Sequence, residues 1–235
     1  MGRRTWNGSR SCEVRFTMAR ALPVVCAFDF DGTLIDTMWG YARVAAEAML
    51  EHHGIPFEEG HRRYLETSGI PFFQQLEIIR PRSPKNRACA EQFEARKTEG
   101  LFACPPDEKT IQGLGLLREA GIKLAVSSNN FQHLLDRWLS ENPRLAVDLS
   151  LGFDGKGLEK GRPHFERIQQ VFGVTADQIL YCGDSLKDGE RAAACRVPFV
   201  GMTGIFTREQ FLERFPGIET VASILQFAER VLSRP

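Results

Sequence analysis

Two aspartates separated by one residue follow an apolar segment in the stretch AFDFDGTLID, residues 27–36. The segment before them, residues 21–28, is almost entirely apolar and predicts a buried strand. Two like charges at the end of such a strand repel each other and lose hydration, so Asp29 and Asp31 need a compensating partner. A bound cation would neutralise both, and Gly32 lets the backbone turn sharply beside a ligand.

Polar side chains also follow three other apolar segments, near residues 122–127, 149–153 and 179–182. They are Ser127, Ser128 and Asn129 after the first, Lys160 after the second, and Asp184 and Asp188 after the third. In a parallel sheet the carboxyl ends of the strands form one edge, and ligands bind there. We therefore expect carboxylates, a hydroxyl group and a lysine to gather at one edge.

This group of residues suits phosphoryl transfer. Carboxylate oxygens are ligands that Mg²⁺ prefers, and Mg²⁺ often takes one or two carboxylates together with a substrate phosphate. An aspartate beside the ion can attack phosphorus and form an aspartyl phosphate. A second aspartate can protonate the leaving oxygen and later deprotonate water. Ser128, backbone amides and Lys160 can then hold the phosphoryl oxygens.

The elements that must position these residues follow from hydrophobic periodicity. Strands are predicted at 24–28, 122–127, 149–153, 179–182 and 198–201, and helices at 41–53, 110–120, 131–139, 165–172, 185–195 and 221–232, with weaker helical patterns at 58–66 and 86–99. Thr207 and Gln210 predict a capping box that opens one more helix. Strands that alternate with helices predict an α/β fold with a doubly wound parallel sheet.

Residues 37–106 interrupt the alternation of strands and helices. They contain several prolines and only helical patterns, so we expect a helical insert within a core made of residues 21–36 and 107–235. Residues 1–20 lack apolar periodicity, and we expect a disordered tail or an extension upstream of a start at Met18. Their basic lead and the short apolar run imitate a secretory signal, but no small-residue cleavage site follows.

Several of these motifs resemble those of the haloacid dehalogenase superfamily, in its branch of phosphatases and sugar-phosphate mutases with a helical cap. The stretch DFDGT resembles its first motif, KLAVSSNN its second and GDSLKD its fourth, in the family's order. The stretch CPPDEKTIQGLGLLREAGIKLAV is similar to the return from cap to core. The resemblance covers residues 21 to about 205 and implies a Rossmann-like core with an inserted cap.

The resemblance implies roles for individual residues. Asp29 would be the nucleophile and Asp31 the general acid and base. Asp29 and Asp184 would bind Mg²⁺ through carboxylates, Asp31 would bind it through its backbone carbonyl, and Asp188 through water or as an orienting group. The phosphate group would be held by Gly32, Thr33, Ser128, Asn129 and Lys160.

For two of the motifs, the sequence leaves more than one candidate for the key residue. The second motif ends at Ser127 or Ser128, and counting from Lys123 favours Ser128. The third motif of the family is a lysine before a proline, whereas this chain reads EKGRPHFERI. Lys160 fits if a glycine is tolerated after it, Arg162 stands directly before the proline, and Lys156 is more distant.

The insert is expected to determine substrate specificity. Residues 66–72, ETSGIPF, resemble the substrate-contacting loop of the cap, which gives Thr67, Ser68 and Gly69 as specificity residues. The loop lacks the arginine that some sugar-phosphate mutases carry there. A small phosphorylated metabolite is therefore the expected partner, without a specific identity.

Five functions are consistent with parts of the sequence. The leading one is a Mg²⁺-dependent phosphatase, and a phosphomutase would use the same residues. A dehalogenase needs neither the second aspartate nor a metal. A phosphonate hydrolase would need a cap lysine for a Schiff base, and only Lys85 and Lys97 are available. A binding module without activity is disfavoured by the complete set of Asp29, Asp31, Lys160 and Asp184.

The composition indicates a globular protein with no net charge that would attract nucleic acid or a membrane surface. Apolar residues make up 43% and charged residues 26%, and the formal net charge is zero, so no attraction to nucleic acid or to a membrane surface is expected. No apolar stretch reaches the roughly 18 residues of a membrane span. The six cysteines form no CxxC pair, which favours reduced thiols in a cytoplasm. The oligomeric state stays open.

Overall fold

The computed structural model describes residues 22–234, and their central feature is a parallel sheet of six strands. The strands are β1 Val25–Phe28, β2 Lys123–Phe131, β3 Leu149–Phe153, β4 Ile179–Gly183, β5 Phe199–Met202 and β6 Glu219–Val221. They lie in the order β3-β2-β1-β4-β5-β6, and every neighbouring pair is parallel. The predicted doubly wound α/β fold is therefore confirmed. The predicted tail at residues 1–20 lies outside the described residues.

Ten α-helices accompany the sheet in the described part of the chain. They are α1 Met38–His53, α2 Phe57–Glu66, α3 Phe72–Ile79, α4 Asn86–Phe102, α5 Glu108–Glu119, α6 Gln132–Glu141, α7 Arg162–Phe172, α8 Leu186–Ala194, α9 Arg208–Arg214 and α10 Ile224–Leu232. The first four form the inserted cap between β1 and β2. No helix in residues 22–234 is long and apolar enough to cross a membrane.

Three hydrophobic clusters hold the layers together. The two largest lie on opposite faces of the sheet, one containing Phe28 and Trp138 and the other Phe165 and Phe199. The third belongs to the cap, where Tyr41, Tyr64, Phe72, Phe93 and their neighbours are buried. The cap therefore has a core of its own, although Leu101 of α4 packs into the cluster around Phe28 and Ile205 packs against the cap cluster.

The functional edge of the sheet is set by strand order. Phe28, the last residue of β1, pairs with Val126 of β2 and with Cys182 of β4. The chain runs from β1 to β2 on one side, and β4 joins on the other, so β1 is the point at which the strand order reverses. Ligands bind at such a point beyond the carboxyl ends of the strands.

Side-chain caps fix several helix starts near this edge. Ser185 caps α8 and exchanges hydrogen bonds with Asp188 in a capping box, and Thr207 does the same with Gln210 at α9, as predicted. Ser185, and not Asp184, is the N-cap of α8. Asp184 is thereby free for another role.

Two predicted elements differ from the structure, and one helix in the structure has no counterpart in the sequence predictions. Phe131 was expected to begin the buried face of a helix, but β2 extends through it, α6 begins at Gln132, and Phe131 is 45% exposed. The helix expected from residue 221 begins at Ile224, because β6 occupies Glu219–Val221. Helix α3 was not expected. Pro71 stands at its N-cap, where the absence of an N–H costs nothing.

Candidate active site

Asp29 lies at the end of β1 with its carboxylate held from two sides. Its backbone N–H donates to the Cys182 carbonyl at 2.8 Å, which ties it to β4. The Phe30 N–H donates to Asp29 Oδ1 at 2.7 Å, and Lys160 Nζ lies 2.7 Å from the same oxygen. Asp29 is 6% exposed. Both contacts use Oδ1, which leaves Oδ2 as the candidate attacking atom.

Asp184 and Asp188 complete an acidic group around Asp29. Oxygen atoms of the three carboxylates lie within 4.8 Å of one another, and all three residues are buried. Asp188 is well partnered, because it accepts from Ser185 Oγ at 2.6 Å and from Tyr181 Oη at 3.0 Å and lies 2.7 Å from Lys160 Nζ. Asp184 Oδ2 is buried and has no hydrogen-bond partner.

The electrostatics of this group favour a cation. Burial raises the pKa of Asp29 to about 6, although Lys160 opposes the shift. Burial and the neighbouring Asp29 and Asp188 raise the pKa of Asp184 well above its usual value. Burial acts in the same direction on Asp188, but Lys160 and Arg191 bring its pKa below the usual value. Lys160 contacts only Asp29 and Asp188, and the unpartnered oxygen of Asp184 fits a hard divalent cation such as Mg²⁺.

Asp31 is held apart from the acidic group by two donors. Thr37 Oγ1 donates to Asp31 Oδ1 at 2.7 Å, and Asn130 Nδ2 donates to Asp31 Oδ2 at 2.8 Å. Asp29 and Asp31 line one pocket together with Lys160 and Asp184, and this pocket is here called the catalytic pocket. A carboxylate oriented by two hydrogen bonds beside the nucleophile is suited to proton transfer.

A glycine is required at position 32 because the backbone there passes close to the Asp184 side chain. The φ of 78° at Gly32 is in the left-handed region, and a Cβ at this position would overlap the Asp184 side chain. Thr33 is buried, and its hydroxyl has no hydrogen-bond partner. Both residues line a neighbouring cleft rather than the catalytic pocket, so their phosphate-binding role stays a prediction.

The two serines of the second motif have different surroundings. Ser127 Oγ lies 2.8 Å from His164 Nδ1, and His164 Nε2 donates to the Gly152 carbonyl at 3.2 Å. Ser128 Oγ accepts from the Asn130 N–H at 3.0 Å. Neither serine caps α6. The Ser127 hydroxyl is thus used in a hydrogen bond with a buried histidine.

Asn129, the third residue of the motif, lines the catalytic pocket.

The three candidates for the third motif differ in burial and contact. Lys160 has a side chain that is 3% exposed and bridges Asp29 and Asp188. Arg162 begins α7, and its side chain is 64% exposed and faces Glu166. Lys156 is exposed. Only Lys160, of these three, lines the catalytic pocket.

Residues of the cap form one side of the catalytic pocket, opposite the edge of the sheet. Ser68 and Gly69 line it, whereas Thr67 donates to the Arg63 carbonyl and to Gln75 Oε1 within the cap. Arg191 of α8 donates to the Gly69 carbonyl at 2.7 Å, so the cap loop that contains Gly69 contacts the core directly. The enclosed space is about 60 Å³.

Several residues of the site have no clear signal in the sequence. Three of them are Thr37, Asn130 and Arg191, whose hydrogen-bond partners are between six and 122 residues away in the sequence. Hydrophobic periodicity carries no information about such pairs. Aromatic residues of the cap core also line the pocket, namely Tyr41, Tyr64, Phe72 and Phe93. The second asparagine in SSNN was the one available hint for Asn130.

Residues 26–202 match the family model described as haloacid dehalogenase-like hydrolase. The chain belongs to this family. It is 31% identical to a phosphoglycolate phosphatase of Neisseria gonorrhoeae over 188 residues, which covers 75% of this chain and 78% of the relative. It is also 31% identical to a phosphoglycolate phosphatase of Chromobacterium violaceum over 191 residues, which covers 74% and 83%. The chain is accordingly a phosphatase, a hydrolase of phosphoric monoesters.

Solved structures share the fold of this hydrolase. A chain from Lactobacillus delbrueckii subsp. bulgaricus superposes with a TM-score of 0.77 at 18% identity, covering 91% of this chain and all of that one. A chain from Clostridium acetobutylicum gives a TM-score of 0.75 at 19% identity, with coverages of 90% and 99%. At these identities the likeness concerns the fold of core and cap.

Proposed function

We propose that this hydrolase is a Mg²⁺-dependent phosphatase of small phosphorylated metabolites that works through a phosphoryl group carried on Asp29. The observation that supports the proposal most is the position of Asp29: it ends the central strand, contacts Lys160 at 2.7 Å, and lies beside a carboxylate whose buried oxygen has no partner. The relatives named phosphoglycolate phosphatase support the substrate class.

Asp29, Asp184 and Asp188 would hold the ion, with Asp31 contributing its backbone carbonyl. Bound there, Mg²⁺ supplies positive charge that favours ionised Asp29 and reduces its repulsion of the substrate phosphate. Lys160 supplies the second positive charge. Its ammonium contacts both Asp29 and Asp188, so it keeps the nucleophile in place and can contact phosphoryl oxygens, as can Asn129, which lines the pocket. Ser128 is fully buried and does not line the pocket, so its phosphate-binding role stays a prediction, as it does for Gly32 and Thr33.

The reaction has two steps. Asp29 Oδ2 forms a bond to phosphorus while the bond from phosphorus to the ester oxygen breaks, and Asp31 gives its proton to that leaving oxygen. Asp31, now ionised, takes a proton from a water molecule that attacks phosphorus. The bond to Asp29 then breaks, inorganic phosphate leaves, and Asp31 holds a proton again. Thr37 and Asn130 keep the Asp31 carboxylate oriented throughout.

The proposed setting is a cytoplasm, supported by the free thiols of Cys26, Cys89, Cys104, Cys182 and Cys195. Residues 37–106 are proposed as the cap and residues 21–36 with 107–235 as the core. Thr67, Ser68 and Gly69 are proposed to shape specificity, Ser68 and Gly69 from the pocket wall and Thr67 through its contact with Gln75.

The experiment that tests the proposal is release of inorganic phosphate from a panel of phosphate monoesters, with Mg²⁺ and with excess chelator. We expect turnover that chelator abolishes and Mg²⁺ restores. Turnover that persists in excess chelator contradicts the metal requirement. A phosphorylated product in place of free phosphate would identify a phosphomutase instead, and no turnover of any ester would indicate a binding module.

A further inference from the structure

We propose that a second cavity beside the catalytic pocket, here called the leaving-group chamber, binds the alcohol part of the substrate, and that this part is uncharged and aromatic or bulky and apolar. The inference rests on the proposed phosphatase function. The chamber measures about 320 Å³ and lies between α4 of the cap and the ends of β2 and β3 in the core.

The chamber adjoins the catalytic pocket. Glu94, Lys97 and Asn129 line both cavities, so they form a shared wall. Asn130, which orients the general acid Asp31, also lines the chamber. A phosphate ester with its phosphorus at Asp29 therefore has the chamber as the adjoining space for the group beyond the ester oxygen.

The volumes of the two cavities suit two different parts of a substrate, the phosphoryl group and the leaving group. The catalytic pocket, at about 60 Å³, is small enough that a phosphoryl group fills most of it. The chamber is about five times larger and reaches the lower end of the sizes, roughly 300–1,000 Å³, that enclose small-molecule ligands. A two-carbon acid would leave most of it empty.

The chamber offers apolar and aromatic contact. Phe131 is 45% exposed although it ends a strand of the central sheet, and its ring lies 5.7 Å from that of Phe153. Leu101, Leu134 and Pro71 complete the apolar wall. An exposed phenylalanine beside a catalytic pocket gives an aromatic ligand group a face on which to pack.

The charges of the chamber disfavour a second anionic group. Lys97 Nζ lies 3.9 Å from a Glu94 carboxylate oxygen and 5.1 Å from the centre of the Tyr41 ring, so part of its charge is offset locally. Glu159 adds another carboxylate to the lining. With two carboxylates and one ammonium group, the chamber repels a carboxylate and favours a neutral leaving group.

The test compares two esters with primary alcohol leaving groups that differ mainly in apolar bulk, ethyl phosphate and 2-phenylethyl phosphate, with 2-phosphoglycolate as the anionic case. We expect kcat/KM for 2-phenylethyl phosphate to exceed both others by about tenfold or more. Phe131→Ala should lower that preference over ethyl phosphate by about tenfold. Phe73→Ala, which truncates an equally exposed phenylalanine outside the chamber, should leave the preference as it is.

Binding to the Asp29→Asn variant, measured by calorimetry, separates this inference from the proposed function. If no ester is hydrolysed but 2-phenylethyl phosphate binds and Phe131→Ala weakens the binding, the chamber stands and the phosphatase function fails. If ethyl phosphate and 2-phosphoglycolate are hydrolysed at least as well as 2-phenylethyl phosphate, or Phe131→Ala affects all three equally, the chamber inference is overturned and the function stands. Absence of binding together with absence of turnover overturns both.

Discussion

Lys160 Nζ lies 2.7 Å from Asp29 Oδ1, and both side chains are more than nine-tenths buried. The same ammonium lies 2.7 Å from Asp188 Oδ1, so one cation links the nucleophile to the first turn of α8. Burial alone would lower the pKa of Lys160, but Asp188 and Asp29 raise it above the usual value, so the lysine stays charged.

Lys160→Ala is expected to lower kcat by about a hundredfold or more, because it removes a preorganised charge beside the phosphoryl group. Arg162→Ala, which truncates a side chain that is 64% exposed, should change kcat a few-fold at most. Steady-state kinetics on both variants measure this, with circular dichroism to check folding. The reverse ranking would assign the third motif to Arg162.

Asp31→Asn should have unequal effects on different leaving groups. An ethoxide leaving group needs the proton that Asp31 supplies, whereas nitrophenolate leaves readily without one, so kcat/KM should fall by about 10²–10⁴ for ethyl phosphate and far less for p-nitrophenyl phosphate. The measurement is kcat/KM for both esters, which reports phosphoryl transfer to the enzyme. Equal losses on the two substrates would remove Asp31 from the role of general acid.

Asp184→Asn should stabilise the metal-free protein. Its buried carboxylate has an unpartnered oxygen and lies beside two others, so removing its charge relieves repulsion. We expect Tm in chelator to rise by about 2–4 °C for each kcal/mol relieved, and the increase in Tm on adding Mg²⁺ to shrink. Thermal melts with chelator, Mg²⁺ and Ca²⁺ measure both effects.

Asp177→Asn, at an exposed aspartate, is the control for Asp184→Asn and should show neither change. In the unchanged protein, Ca²⁺ should support turnover poorly, because its looser coordination misplaces the reacting atoms. An Asp184→Asn protein that keeps the full Mg²⁺ shift would place the ion elsewhere.

His164 should make the protein sensitive to mild acid. Burial lowers its pKa to about 4, whereas an unfolded histidine titrates near 6.5. Between these values the unfolded chain binds a proton that the folded chain does not, so stability is lost as the pH falls from about 6.5 towards about 4.

Replacing this histidine should therefore flatten the pH dependence. Between about pH 7 and about pH 5, His164→Gln should lose less free energy of unfolding than the unchanged protein, as measured by urea titration. His133→Gln, at an exposed histidine, is the control and should follow the unchanged protein. A His164→Gln slope equal to that of the unchanged protein would mean that His164 takes up its proton in the folded state.

Local patterns in the sequence were enough to predict the sheet and the acidic edge. An apolar run that ends in Asp29 and another that ends before Asp184 can be read directly, and strand alternation places both at one edge. The signals are strong because parallel strands are buried on both faces and are apolar throughout.

Contacts between distant segments could not be predicted in the same way. Asn130 meets Asp31 only because β2 lies next to β1 and extends beyond it, and Arg191 meets Gly69 only because the cap closes on α8. Phe131 was misplaced for a related reason: its spacing fits a helical face, but the shift of register between Ser127 and Phe131 carries the strand past it. Periodicity describes one segment at a time.

The central claim is that Asp29 carries the phosphoryl group, and rapid quenching of the reaction tests it directly. Enzyme mixed with substrate and Mg²⁺ is stopped in acid within the first turnover, digested and examined by mass spectrometry. We expect the peptide that contains Asp29 to gain the mass of one phosphoryl group, and the Asp29→Asn variant to lack both the adduct and turnover while keeping a native circular dichroism spectrum. Turnover by the Asp29→Asn variant, or an adduct on another residue, would contradict the account.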